Sequence, residues 1–442
     1  MSIYLTAMLV LGQFWQTGPQ TGFRFTRFDG EYSSQTGKVY FLGGRLADDD
    51  TDGSVWCFIP DSGTYRDTRV EMPIPVSNYT ICGLRDGYAP SDSFGFYIVG
   101  GRRSRGQKTD AVQAYYPVTN NARSVSTDLL PMRIGNRIPI PGAAAVCGNK
   151  LYVFGGFNES LAPYLTGETW VFDPMGPVGA CWSRVVGADL SLPRCYITSA
   201  VVNGKIYALG GCTFVPNVLT PRRICEVFDP ANPSAGWRRI ADLPDSSAET
   251  RAFGFDSTGP AGFANRIVLA GNGKWPSETN QCFIYDTKTD SWATFPSLLQ
   301  ARKHHAAALI PAPGQGGRIW QMWVFGGRQG ADTAVLKSAE FYNLPPGVAE
   351  QGDTKIRTHT LALKSGPFTR RLSVRYSVPS ASEVMLVLLG PDGRVVQELV
   401  RGYKSAGVYE IGCDAAKLSA GVYLVHFSDG QHSETAKAVK AR

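Results

Sequence analysis

The sequence predicts an all-β protein in two parts: a large array of repeated four-stranded units, then a smaller module of short strands. Three observations predict it. The 442 residues include 49 Gly and 28 Pro with 11% aromatics, the composition of many short strands joined by turns. One strand pattern ending in two glycines recurs along the first three quarters of the chain. After about residue 366 that repeat stops and a different strand spacing begins. At this length two or three domains are expected, and 43% hydrophobic residues suffice for a large core.

The repeat is a basic or polar residue, four or five apolar residues, then a glycine pair. It reads Lys38-Val-Tyr-Phe-Leu-Gly-Gly44, Phe96-Tyr-Ile-Val-Gly-Gly101, Lys150-Leu-Tyr-Val-Phe-Gly-Gly156, Lys205-Ile-Tyr-Ala-Leu-Gly-Gly211 and Gln321-Met-Trp-Val-Phe-Gly-Gly327. A degenerate copy is Arg266-Ile-Val-Leu-Ala-Gly-Asn272. The copies stand about 55 to 61 residues apart. Each of the later units continues with an apolar strand ending near Asp (Asp173, Asp229, Asp286), a tryptophan (Trp182, Trp237, Trp292), a Leu-Pro or Phe-Pro pair, and an arginine that opens the next strand (Arg194, Arg251, Arg302). Glycine permits positive φ and close backbone approach, and the aromatic rings fill the space between neighbouring sheets. One such sheet cannot bury both its faces alone, so the units must stack.

These parts, in this order, resemble the kelch repeat, whose unit is one four-stranded propeller blade. The resemblance covers roughly residues 13–345 and implies a six-bladed kelch-type β-propeller. The sixth unit stops at Glu340-Phe-Tyr-Asn-Leu-Pro345 without a tryptophan strand, whereas Gln13-Phe-Trp15-Gln precedes the first unit. The N-terminal segment is therefore expected to be the outer strand of the last sheet, which removes an exposed edge. Before it, Ile3–Leu11 is an apolar run too short to cross a bilayer. Residues 1–12 read either as a signal peptide lacking a basic start or as a first β-strand. No other segment is long and apolar enough for a span.

Residues 346–366 read as a linker with an entry strand, and residues 367–442 as a separate module. Leu372–Val378 alternates strictly; Val384–Leu389 and Arg394–Val400 flank the turn Pro391-Asp392-Gly393; three further strand patterns follow. Six or seven short strands suit an immunoglobulin-like β-sandwich. Through Pro391-Asp-Gly-Arg-Val-Val396, Leu418-Ser-Ala-Gly-Val-Tyr423 and Lys437-Ala-Val-Lys440, the module resembles the C-terminal sorting domains of the type IX secretion system and the related sandwich of flagellar-hook capping proteins. That resemblance implies Sec export, secretion or display on the outer cell surface, and the secretion machinery as a partner. A purely structural sandwich is the alternative.

The net charge is +7, but 13 of the 44 Lys/Arg and 8 of the 37 Asp/Glu fall in residues 353–442, so the larger part has a surplus of only two. No nucleic-acid footprint is indicated. The nine cysteines form no CxxC pair and read as small buried hydrophobes, with an odd thiol left over. The adjacent pair His304 and His305 would point to opposite faces of a strand, so no metal site is expected, and no cofactor motif is present. A copper radical oxidase of the kelch class would need more histidines than this.

The sharper signal is arginine. Arg45, Arg102 and Arg328 follow the double glycines, while Arg194, Arg251 and Arg302 open the innermost strand region. In kelch propellers both places open onto one face, so six arginines on one rim would bind an acidic glycan or an acidic peptide or protein loop through paired hydrogen bonds. Alternatively they are solvated or pair with acids such as Asp48, Asp49 and Asp50. The expected function is an exported binding protein without catalysis. The enzyme alternative is a sialic-acid mutarotase-like propeller, with Glu168, Glu249 or Glu278 as the acid–base group; a structural surface protein is the third reading. A carboxyl held at raised pKa among the arginines would favour the enzyme.

Overall fold

The structure, a computed structural model, describes residues 14–86, 94–160, 162–216, 218–274, 278–313, 319–330, 334–345, 360–363, 367–369, 371–378, 382–404, 407–415, 418–430 and 432–441. The expected signal segment 1–12 and most of the linker 346–366 lie outside them. The chain divides into two compact units, Met1–Val348 and Ala349–Arg442.

Among the described residues the first unit holds six four-stranded antiparallel sheets. Their first strands are Gly30–Ser33, Cys82–Arg85, Ile140–Cys147, Thr198–Val202, Arg251–Phe255 and Ala306–Pro311. In four sheets the other three strands follow in chain order; in the fourth a two-stranded hairpin, Cys212–Val215 with Val218–Pro221, is inserted between the second and third strands, and the sixth takes its outer strand from elsewhere in the chain.

Alternation along the second strands shows why the sheets stack. In Lys150–Phe157, Leu151 and Val153 join one apolar core while Tyr152 and Phe154 join the next. In Lys205–Leu209, Ile206 and Ala208 share that second core, and Tyr207 and Leu209 enter a third. A strand buried on both faces reads as a continuous apolar run, and its period of two deals successive side chains to opposite neighbours.

The glycine pairs do more than end strands. In Lys38–Arg45 and Lys150–Phe157 the strand continues through the pair with a register shift at Leu42/Gly44 and Phe154/Gly156. Gly43 has φ +79°, and a Cβ there would run into the carbonyl oxygen of Asp52. A bulge of this kind re-aims the strand, and only glycine tolerates it.

The two ends of the unit meet. Gln16–Gly18 pairs antiparallel with Ala339–Phe341, placing the N-terminal strand at the outside of the sixth sheet. The paired residues begin just after Trp15. That tryptophan is 2% exposed, donates its Nε1–H to the carbonyl of Pro296 at 2.9 Å, and lies 5.8 Å from the Tyr342 ring.

The second unit has a three-stranded sheet, Thr360–Leu363, Arg371–Val378 and Gly407–Asp414, and a four-stranded sheet, Val395–Lys404, Ser382–Leu389, Gly421–Ser428 and Ser433–Lys440. Their alternate residues, among them Val374, Tyr376, Leu386, Val425 and Phe427, form one core. The Pro391-Asp-Gly turn is closed by the Gly390 N–H to the Arg394 carbonyl, with Gly393 at φ +78°. The entry strand belongs to this unit, since Thr360–Leu363 pairs with Val374–Ser377.

Trp15→Ala removes a buried aromatic at the closing strand. It is expected to cost about 3–5 kcal/mol, read as a lower denaturant midpoint. An unchanged midpoint would show that closure does not depend on this side chain.

Candidate functional site

The first strands of the sheets surround a polar cavity, and at one end of it five non-glycine residues share one unusual backbone conformation. Arg27, Asn78, Tyr196, Glu249 and His304 have φ of +57°, +61°, +52°, +58° and +54°. Each stands a few residues before the first strand of its sheet. Their amides and carbonyls link sheet to sheet: Asn78 N–H to Arg27 O at 2.7 Å, Arg27 to His304 at 2.9 Å, His304 to Glu249 at 2.7 Å, and Glu249 to Tyr196 at 3.2 Å. Ile197 N–H continues to Gly142 O at 3.0 Å. Left-handed φ in non-glycine residues costs energy and persists only where the surrounding structure holds it.

All five residues, with Arg251, line the pocket at this end of the cavity. Glu249 is its acid. Its Oε2 lies 2.8 Å from His304 Nε2 and its Oε1 3.8 Å from Arg27. Burial raises the Glu249 carboxyl above its usual range, against the pull of Arg27, Lys303, Arg328 and Arg45. Burial also drives His304 well below the ordinary histidine value, and the same four cations push in the same direction. Desolvation opposes every buried charge, and like charges add to it. Arg45 is lowered to about 9 and Arg328 to about 10, first by burial and then by Arg27. Lys303, fully buried, pairs with Glu278 at 2.8 Å. A neutral imidazole beside a reluctant carboxyl, ringed by cations, suits proton transfer to or from a bound anion.

The six arginines of the sequence reading do not form one rim. Arg194 and Arg302 are fully buried. Arg194 meets Glu226 at 2.5 Å and donates to the Gly210 carbonyl at 2.8 Å. Arg302 meets Glu340 at 2.6 Å and donates to the Gly326 carbonyl at 2.7 Å. Both hold the crossover between sheets, because Glu226 also accepts the Ser191 amide and Glu340 the Leu299 and Gln300 amides. Arg102 pairs with both oxygens of Asp49, at 2.9 and 2.8 Å, and Arg45 pairs with Asp49 at 3.1 Å while donating to Asn78 Oδ1 at 2.9 Å. Arg251 is held inside the cavity by Asp29 at 2.9 Å and by the carbonyls of Phe28 and Tyr79. Of the six, Arg45 and Arg328 pull on the Glu249 carboxyl.

Of the three acids considered from sequence, Glu249 sits in the pocket. Glu278 is held by Lys303 and its carboxyl lies below the usual range, while Glu168 accepts from Trp170 and pairs with Arg184. Sequence reasoning missed Arg27, Asn78 and Tyr196 because the five positions share a conformation and no residue type. The signal was spacing: Tyr196 and His304 each fall two residues after the arginine that opens the strand region.

The model for the Kelch motif matches residues 141–186 and 193–244. The chain is similar to an F-box/kelch-repeat protein of Arabidopsis thaliana, 30% identical over 172 residues, covering 36% of this chain and 34% of that one. It is 24% identical over 261 residues to the Kelch-like protein terF of Aspergillus terreus, covering 52% and 53%. It is 30% identical over 183 residues to the spermatocyte protein spe-26 of Caenorhabditis elegans, covering 39% and 28%. The chain thus spans from under a third to about half the length of these relatives. The solved structure of YjhT superposes with a TM-score of 0.52 at 18% identity, covering 73% of this chain and 95% of that one. Together the motifs and this neighbour support a kelch-repeat β-propeller, a fold that serves as a protein-binding or enzymatic scaffold.

Two predictions follow from these environments. Arg194→Ala leaves Glu226 buried without its cation and is expected to cost about 3–5 kcal/mol in chemical denaturation, whereas Arg102→Ala leaves behind an Asp49 that is half-exposed to water and costs about 1 kcal/mol or less. His304 stays neutral in the fold, so stability falls as pH drops below the unfolded value of 6.5. One unit below it, this histidine accounts for roughly 1 kcal/mol. His304→Gln is expected to remove that share of the loss between pH 7.5 and 5.5, and an identical pH profile would contradict the assignment.

Proposed function

We propose that the six sheets are the six blades of a closed propeller whose channel mouth binds an acidic ligand: a carboxylate-bearing glycan, or an acidic peptide or protein loop. The observation that carries this reading is the hydrogen-bonded arc of Asn78, Arg27, His304, Glu249 and Tyr196, backed by Arg45, Lys303 and Arg328. Three arginines and a lysine face three acids, Glu249, Glu278 and Asp49, and guanidinium forks match carboxylate geometry. Preformed left-handed backbone means that the mouth loses little freedom on binding.

The raised carboxyl of Glu249 favours a second reading, an enzyme of the sialic-acid mutarotase type. Opening a cyclic hemiketal needs a base to take the anomeric hydroxyl proton and an acid to protonate the ring oxygen as the C–O bond breaks. Reclosing the carbonyl on its other face gives the other anomer, with no net change of protons or electrons. His304, neutral and 2.8 Å from Glu249, supplies the base and Glu249 the acid. The second unit, an immunoglobulin-like sandwich in this reading, directs secretion to the medium or outer cell surface.

Retention on an acidic-glycan and acidic-peptide array is expected to fall about tenfold or more for Arg27→Ala, the loss of one charge-assisted contact. Unchanged retention would sink the binding site. Glu249→Gln is expected to keep binding while abolishing anomer exchange of N-acetylneuraminic acid followed by NMR. If the wild-type protein does not accelerate that exchange, the enzyme reading falls and binding stands. Removing residues 367–442 is expected to keep the propeller out of the medium; a truncated chain that still appears there ends the export role.

A further inference from the structure

Two buried cysteines stand opposite each other across an antiparallel bridge where the fourth sheet meets the arc. Cys195 lies one residue before Tyr196, and Cys212 follows the glycine pair Gly210–Gly211 to open the inserted hairpin. Their backbones form a reciprocal pair: Cys195 N–H to Cys212 O at 2.9 Å and Cys212 N–H to Cys195 O at 2.7 Å. Residues that exchange both bonds are directly opposite, with Cα atoms about 5.5 Å apart and side chains on the same face. That separation lies inside the disulfide range of about 4.4–6.8 Å. The Cys195 thiol already reaches the Cys212 carbonyl at 3.5 Å, and both residues are 1% exposed in one small apolar cluster with Ile140, Phe157 and Ala248. Among the described cysteines no other two are paired across strands; Cys57, Cys82, Cys225 and Cys282 face other residue types.

We propose that Cys195 and Cys212 form a cross-strand disulfide when the chain folds in an oxidising compartment. The reaction is thiol–disulfide exchange with an external disulfide, either oxidised glutathione or a disulfide-transferring oxidoreductase. One thiolate attacks it, forming a mixed disulfide and releasing one thiol. The second thiolate then attacks the mixed disulfide and releases the other. Two protons and two electrons pass to the oxidant, which leaves as two thiols. Burial holds both thiols well above their usual pKa, so exchange belongs to the chain before the hairpin closes over them. Directly opposite Cβ atoms in a hydrogen-bonded pair stand near the wide end of about 4.5–5.5 Å, against about 3.5–4.5 Å in a disulfide. Closing the bond therefore draws the hairpin toward Tyr196 and tightens that side of the mouth.

The full chain, produced in an oxidising compartment and unfolded in the presence of an alkylating agent, is expected to give one peptide pair joining Cys195 to Cys212, separated by reductant. Recovery of both residues alkylated without reduction would overturn the assignment. As an independent readout, reductant is expected to lower the melting temperature of the wild type but not of the Cys195→Ser/Cys212→Ser variant. A wild-type melting temperature indifferent to reductant argues against the bond whether or not the variant folds.

Discussion

The structure turns on a relay of backbone hydrogen bonds at the hub. Asn78, Arg27, His304, Glu249 and Tyr196 each pass an amide or carbonyl to the neighbouring sheet, and Ile197 hands the relay on to Gly142. The bonds require each chain segment to present N–H and C=O sideways just before its innermost strand, and left-handed φ does this. Side chains at these positions are then thrown together at one mouth, whatever their type. The same geometry that joins the sheets assembles the pocket.

Behind the hub a second problem recurs: each crossover between sheets leaves amides to be satisfied in the interior. Glu226 and Glu340 accept them, and Arg194 and Arg302 neutralise the carboxylates. In the second sheet Gln113 does the same work without charge, accepting the Ile74 amide at 2.8 Å and donating to the Ile74 carbonyl at 3.0 Å. A neutral amide carries both donor and acceptor, so it needs no counter-ion and avoids the desolvation cost of a buried pair.

Much of the fold was legible because its signals are steric. A double glycine with flanking apolar residues has few uses besides a bulged, doubly buried strand, and a final unit lacking its outer strand called for the segment around Trp15. The site was only half legible. Arg194 and Arg302 looked available for a ligand because sequence shows where a side chain starts and not which way it turns. Their acids, Glu226 and Glu340, are distant by 32 and 38 residues, in strands whose register the pattern alone did not fix. Glu249 could be shortlisted as an acid near the pore, but its partnership with His304 and Arg27 exists only once three sheets meet. Arg27, Asn78 and Tyr196 offered no compositional clue, since conformation and not chemistry unites them.

The pairing of Gln16–Gly18 with Ala339–Phe341 also sets a timetable. A strand made before all six sheets must wait for one made more than three hundred residues later. Until then the sixth sheet has a bare margin and the indole of Trp15 has no shelter, so a partly made chain exposes sticky surface at both places. Such a molecule gains from being kept unfolded until its whole length is available, and chaperones that hold nascent chains open would serve it better than early collapse.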